Sequence, residues 1–173
     1  MQYDIHEHKH RFSIWTASRA VQRSFATTLN ITLVINNTNL REFVESEVKL
    51  DSQGQFDSLH RQWCNLMIHE FDKLKIDASY GRAAKIVAVY LKTSVVIAAG
   101  PMNPNIQFIH PPIDRIILKN LPKVESFKQI RKLNWTKLDE QSYWEIVNTI
   151  RKELKMFDWK LEMLWHPAQD YDR

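Results

Sequence analysis

A chain of 173 residues with 44% hydrophobic and 25% charged side chains is long enough to bury one globular core. Its three glycines are too few for the turns and phosphate loops of β-sandwiches and Rossmann-type folds, so we expect a single all-α domain over residues 1–173. The net charge of +4 permits nucleic-acid binding without demanding it, and the lone Cys64 excludes an intramolecular disulfide and a four-cysteine metal site.

The first half of the chain shows four helical patterns separated by turns. A polar leader, 1–7, precedes a helix from about Lys9 to Phe25. Residues 30–35 have strand propensity, but an isolated strand would have no partner, so we predict a short helix there. Asn39 is a candidate cap for another short helix that reaches Val48. The strongest pattern spans 56–74, where apolar side chains recur at spacings of three and four.

The second half is organised around the longest apolar run, 83–99, which predicts a helix buried on most sides. The run falls short of a membrane span and contains two lysines, so we expect no membrane segment. A Pro-containing loop, 100–110, is a candidate functional loop. The elements predicted after it are a short helix from Asp114 to Pro122, another over 124–133, a long helix from about Asp139 to Lys155, and a final packed turn over 157–165.

The lysines of the central run and the aspartate that opens the next helix form the main candidate site. Lys85 and Lys92 are seven positions apart, so a helix places them on nearly the same side. Burial disfavours charged lysine, and a neutral amine can form a Schiff base with a carbonyl-like carbon. An ionised Asp114 at a helix N-cap could stabilise an oxocarbenium ion. The structural alternative is a solvated lysine stripe and a plain helix cap.

This segment resembles the catalytic segment of the helix-hairpin-helix DNA glycosylases, notably the endonuclease III and archaeal 8-oxoguanine glycosylase branches. It reads Gly81-Arg82-Ala83-Ala84-Lys85 at the start of the central helix and Pro112-Ile113-Asp114-Arg115 at the start of the next. In that family the lysine attacks the sugar C1′, and the aspartate is the second catalytic group. The resemblance implies these roles for Lys85 and Asp114, and it covers about a fifth of the chain. The segment also resembles small bacterial and phage proteins without an assigned function.

The glycosylase resemblance implies DNA as the partner and base release by a glycosylase/AP lyase, for which the base must leave the stack. Aromatic candidates for the base pocket or a wedge are Trp15, Trp63, Tyr80, Tyr90 and Trp135. Basic candidates for phosphate contacts are Arg19, Arg23, Arg82, Lys92 and Arg115. Each has a simpler interpretation as core or solvated surface. Two alternatives stay open: a catalytically inactive nucleic-acid-binding module, and a protein-interaction or oligomerising module.

Other patterns carry weaker indications. The alternating His6, His8 and His10 could bind a transition metal, although the segment lacks a carboxylate-rich partner motif, and we assign no metal or cofactor. Cys64 lies within an apolar helix and is expected to be a structural thiol. The polar N-terminus lacks a signal peptide's apolar segment, and with the single cysteine this favours a cytoplasmic protein.

Overall fold

The computed structural model describes residues 3–21, 24–46 and 48–166, and over these ranges it contains helices and no β-strand. The α-helices are α1 (Ile5–Ala20), α2 (Thr28–Asn36), α3 (Leu40–Glu45), α4 (Gln53–Lys73), α5 (Tyr80–Leu91), α6 (Arg115–Asn120) and α7 (Glu140–Leu154). A π-helical turn, Lys92–Ile97, continues α5, and short 3₁₀ turns occupy much of the remaining chain. The predicted all-α fold is confirmed.

Side-chain caps explain where most helices begin. Asp4, Thr27, Ser52, Ser79, Asp114 and Asp139 each accept a hydrogen bond from a backbone N–H in the first turn of the following helix. Such a cap satisfies a donor that has no partner within the helix and stabilises it by about 1 kcal/mol. The Asp4 cap lets α1 begin at Ile5, so the prediction of a polar leader through residue 7 is wrong.

Three other predicted boundaries can be compared with the structure. The helix α1 ends at Ala20, rather than near Phe25. The predicted helix over 124–133 is replaced by two 3₁₀ turns, Glu125–Phe127 and Ile130–Lys132. The apolar residues of this segment recur every three positions, which is the period of a 3₁₀ turn. The short helix predicted over 30–35 is present within α2.

The central helix is regular only through Leu91, where its backbone widens into the π-helical turn. Thr93 and Ser94 donate their hydroxyl protons to the carbonyls of Val89 and Tyr90, one turn earlier. Hydroxyl bonds of this kind disturb the regular helical pattern and bend helices. The predicted helix over 83–99 is therefore present, and its part from Lys92 to Ile97 has π-helical geometry.

Helix α5 is the centre of one hydrophobic core and packs against α1 and α4. Ten of its twelve residues are buried, including Lys85. Gly81 lies against the 3₁₀ turn Trp135–Lys137, and its N–H donates to the carbonyl of Leu138 at 3.0 Å. A Cβ on Gly81 would lie 2.1 Å from the carbonyl oxygen of Trp135, so only glycine fits there. Within the described ranges, the chain contains no helix with the length and apolarity needed to cross a bilayer.

Candidate functional site

Lys85 and Asp114 meet in the folded protein, although 29 positions separate them. The Lys85 Nζ donates to Asp114 Oδ2 at 3.3 Å, and the lysine is only 8% exposed. Asp114 Oδ1 accepts the backbone N–H groups of Ile116 and Ile117 at 2.9 and 3.0 Å, so the carboxylate also caps α6. The two residues that the resemblance pairs therefore form one buried ion pair.

Two indole rings enclose this ion pair. The Lys85 ammonium lies 4.3 Å from the centroid of the Trp135 ring, which is a cation–π contact. The Trp165 Nε1–H donates to Asp114 Oδ2 at 3.1 Å, and Trp165 is 40% exposed. Trp165 therefore contacts the carboxylate while part of its own side chain remains exposed to solvent.

Burial is the main influence on the Lys85 amine. It lowers the pKa of Lys85 below its ordinary value, because the charged form loses hydration. The carboxylates of Asp114 and Glu162 raise that pKa, and their combined effect is the smaller one. The result is a lysine that releases its proton more readily than a lysine in water, which is what a nucleophilic amine requires.

Lys92 contacts the segment that carries Trp165. It forms an ion pair with Glu162 of the 3₁₀ segment Trp159–Leu164, and its ammonium lies 5.7 Å from the Trp165 ring centroid. The Asn120 Nδ2–H of α6 donates to the carbonyl of Leu164 at 2.8 Å. We call residues 159–165 the cover segment, since these contacts tie it to α6 and to the π-helical turn.

Two of the other basic residues predicted to contact DNA, Arg82 and Arg19, lie against aromatic rings that do not belong to this site. The guanidinium of Arg82 lies 4.4 Å from the Phe25 ring centroid, and its Nε is buried without a hydrogen-bond partner among the described residues. Arg19 is exposed on α1 beside Trp15. Arg115 is exposed next to Asp114, whereas Arg23 lies outside the described residues.

Of the five predicted aromatic candidates, only Trp135 contacts the Lys85–Asp114 pair. Trp63 and Tyr90 are buried and hydrogen-bonded to Asn39 and His10. Tyr80 is buried and accepts the indole N–H of Trp144, while Trp15 stacks on Phe12 at the surface. These four serve other parts of the fold, and Trp165 is the aromatic residue that sequence reasoning missed.

Two of the three N-terminal histidines, His8 and His10, form hydrogen bonds with other side chains. His10 is buried between the Tyr90 hydroxyl at 2.7 Å and the Asn36 Oδ1 at 3.0 Å, and His8 contacts the Tyr3 hydroxyl. The part of the chain that the structure describes holds no group of three His, Cys, Asp or Glu residues that could bind a metal ion. Cys64 is buried, and burial raises the pKa of its thiol well above the ordinary value.

A second polar cluster, absent from the sequence predictions, lies in the core between α4 and α7. Arg151 donates to both carboxylate oxygens of Asp57 at 2.6 and 2.8 Å. The His110 Nε2 is 3.0 Å from Asp57 Oδ1, and its Nδ1 is 3.2 Å from the Tyr143 hydroxyl, which in turn is 3.4 Å from His60 Nε2. His110 and His60 are 1% and 0% exposed, so neither can reach a substrate, and the cluster serves to join the helices.

A basic groove opens at the far end of α6 from Asp114. It has a volume of about 360 Å³ and is lined by Lys119, Lys123, Val124, Glu125, Lys128, Arg131 and Lys132. The four lysines are exposed. The Arg131 Nε–H donates to the carbonyl of Lys119 at 3.1 Å, which fixes one wall of the groove to α6.

No family model, curated protein or solved structure matches this chain. The helix-hairpin-helix resemblance therefore stays a prediction. Any function assigned to the chain has to rest on the geometry of its own residues.

Proposed function

We propose that this protein is a DNA glycosylase/AP lyase whose nucleophile is Lys85. The observation that carries the proposal is the 3.3 Å contact between the Lys85 amine and the Asp114 carboxylate. Burial favours the neutral, nucleophilic form of this amine, and a carboxylate stands beside it to stabilise positive charge on a sugar. Such an amine can form an imine with a ring-opened sugar, and such a carboxylate can stabilise an oxocarbenium ion.

The reaction assigned to this pair needs one bond to form and one to break at C1′. The Lys85 nitrogen forms a bond to C1′, the bond from C1′ to the base breaks, and the base leaves with the bonding electrons and takes a proton. The Asp114 carboxylate stabilises the positive charge that develops on the sugar. Ring opening then gives a Schiff base, which borohydride reduces to a stable amine adduct.

Access to Lys85 requires the cover segment to move. Trp165 contributes an indole N–H to Asp114, Glu162 pairs with Lys92, and Leu164 is tied to Asn120. A single hydrogen bond to a charged group contributes about 1.5 to 3 kcal/mol, so loss of the Trp165 bond alone would open the pair more often. Trp165→Phe keeps most of the ring and removes that bond.

Borohydride trapping with a duplex that contains one abasic site tests the proposal. We expect the wild type to form a covalent adduct, Lys85→Ala to form none, and Asp114→Asn to form it about a hundredfold more slowly. Asparagine also caps helices, so Asp114→Asn keeps α6 in place. Lys49→Ala, which removes an exposed lysine outside this site, is the control and retains trapping. Trp165→Phe traps faster than the wild type.

Thermal unfolding of each variant separates loss of the nucleophile from loss of the fold. A folded Lys85→Ala that still traps, or a wild type that never traps an abasic or damaged duplex, rules out the proposed chemistry.

One observation favours a second candidate, a nucleic-acid-binding module without catalysis. Both oxygens of Asp114 are already occupied, by two backbone N–H groups on one side and by Lys85 and Trp165 on the other. A saturated, covered ion pair can serve structure alone. Under this candidate the wild type retains DNA in a salt-dependent way and yields no adduct.

A further inference from the structure

We propose that the basic groove between α6 and the turns over 125–132 binds the phosphate backbone of a nucleic-acid strand. Binding at the groove is separate from the chemistry at Lys85. The inference rests on the proposed function in one respect, namely that the bound strand brings a sugar to that lysine. The groove's ligand is a polyanion with regularly spaced phosphates. Its binding can be measured without any reaction taking place.

Positive charge is unevenly distributed along the chain. Residues 115–137 contain seven basic side chains and one acidic side chain, Glu125. Since the whole chain has a net charge of +4, acidic residues outnumber basic residues by two in the remainder. The positive charge of this protein is therefore concentrated on one segment, which is the pattern of a nucleic-acid-binding surface.

The basic segment is also concave. Four exposed lysines and Arg131 converge on a volume of about 360 Å³, where they repel one another. Glu125, the one acidic residue of the lining, pairs with Lys128 at 3.3 Å. The bond from Arg131 to the Lys119 carbonyl uses one of the five N–H donors of the guanidinium and orients the others. Phosphate oxygens satisfy both the lysines and a planar guanidinium.

The position of the groove favours a nucleic-acid strand over an anionic membrane. Asp114 caps the N-terminus of α6 and Lys119 lies near its C-terminus, five residues later, which corresponds to about 8 Å along the helix axis. The groove and the Lys85–Asp114 pair are therefore close enough for one nucleic-acid strand to reach both. A protein surface that binds a membrane carries several apolar side chains that insert into the lipid. In the groove lining, Val124 is the one apolar residue.

Fluorescence anisotropy with a labelled 20-nucleotide single strand and the corresponding duplex tests the inference across a series of salt concentrations. The test variant is the double substitution Lys123→Ala and Lys132→Ala. The matched control is Lys49→Ala with Lys152→Ala, which removes two exposed lysines outside the groove. Each phosphate contact contributes about 0.7 to 0.9 to the slope of log K against log salt. We therefore expect the test variant to lose about 1.5 from this slope and at least about tenfold in affinity near 100 mM salt.

Four outcomes decide the inference. A larger loss of affinity and slope in the groove variant than in the control supports it, even if no adduct is ever trapped at Lys85. Equal effects in the two double variants overturn it, as does a wild type whose binding shows no salt dependence. Cosedimentation with phosphatidylserine vesicles in place of DNA binding also overturns it. The anisotropy assay requires no reaction at Lys85, so failure of the chemistry and failure of the groove are distinguishable.

Discussion

The buried histidines make the stability of this protein sensitive to mild acid. The pKa of His110 is lowered from 6.5 to about 4, and burial is the main cause. The Asp57 carboxylate raises this pKa, whereas the Arg151 cation lowers it further. His60, which is packed against His110 with ring centroids 4.6 Å apart, has its pKa lowered well below 6.5 by burial. Both rings are therefore neutral in the folded protein at neutral pH.

The sign of the effect follows from which state binds the proton. Between pH 6.5 and 4 the unfolded chain protonates residue 110 and the folded chain does not, so protons favour unfolding. The stability from neutral His110 is complete above its unfolded pKa and is lost as the pH falls. Going from pH 7 to pH 5 costs about 2 kcal/mol from His110 alone, and His60 adds to it with the same sign. Burial raises the pKa of Asp57, but the hydrogen bonds from Arg151 and His110 outweigh it and hold that pKa below 3.8, so Asp57 contributes only in stronger acid.

Urea unfolding at pH 7, 6 and 5 measures this dependence. We expect the wild type to lose at least about 2 kcal/mol over the range, and His110→Gln to lose about 2 kcal/mol less than the wild type between the same pH values. The comparison uses the pH dependence, so it remains valid if the variant is less stable throughout. Proton NMR of the wild type gives an independent check, because the His110 and His60 ring protons should not titrate between pH 7 and 5.5. Normal titration of both rings, or equal pH dependence in the two proteins, would refute the reasoning.

Two substitutions, each with a control, test the backbone at single positions. Gly81→Ala should destabilise the protein by at least about 3 kcal/mol in urea unfolding, because the added Cβ would lie 2.1 Å from a backbone oxygen. Gly54→Ala is the control and should not destabilise the protein, because its Cβ would meet only a side-chain atom at 3.8 Å. Equal effects at the two glycines would contradict the close approach of α5 to the Trp135–Lys137 turn. Lys155, which ends α7 at a positive φ of 56°, should gain about 1 kcal/mol on substitution by glycine, and Lys152→Gly inside the same helix should lose a similar amount. Thermal unfolding that shows a loss at both positions would argue against the left-handed cap.

Local sequence signals predicted the helices well, because most of them combine a cap with an apolar spacing of three and four. The cap at Asp114 and the burial of the central helix are both local properties, so the sequence indicated each of them. Residue chemistry and the family resemblance both grouped Lys85 with Asp114, whereas their spacing of 29 positions carries no geometric information of its own. The π-helical turn after Leu91 was not predicted, although Thr93 and Ser94 are visible in the sequence.

The parts of the site that could not be predicted depend on long-range contacts. The ion pair between Lys92 and Glu162 joins positions 70 apart, and the contact between Arg151 and Asp57 joins positions 94 apart. Glu162, Arg151 and Asp57 belong to no motif, so only the folded chain brings these pairs together. The basic groove is different, since the excess of positive charge over 115–137 is present in the sequence itself. A regional count of charge, in place of the net value for the whole chain, would have found it.

The groove and the cover segment share the last turn of α6, and this connects the two proposals. Lys119 lines the groove, and the next residue, Asn120, donates the hydrogen bond that holds Leu164 of the cover segment. Arg131 binds the Lys119 carbonyl from the other side. A strand that contacts Lys119 therefore acts on the turn to which the cover segment is tied, about 8 Å along α6 from the Asp114 carboxylate. Because Asp114 Oδ1 also accepts the backbone N–H of Ile117, a displacement of α6 would change the contacts of both the cover segment and the Asp114 carboxylate.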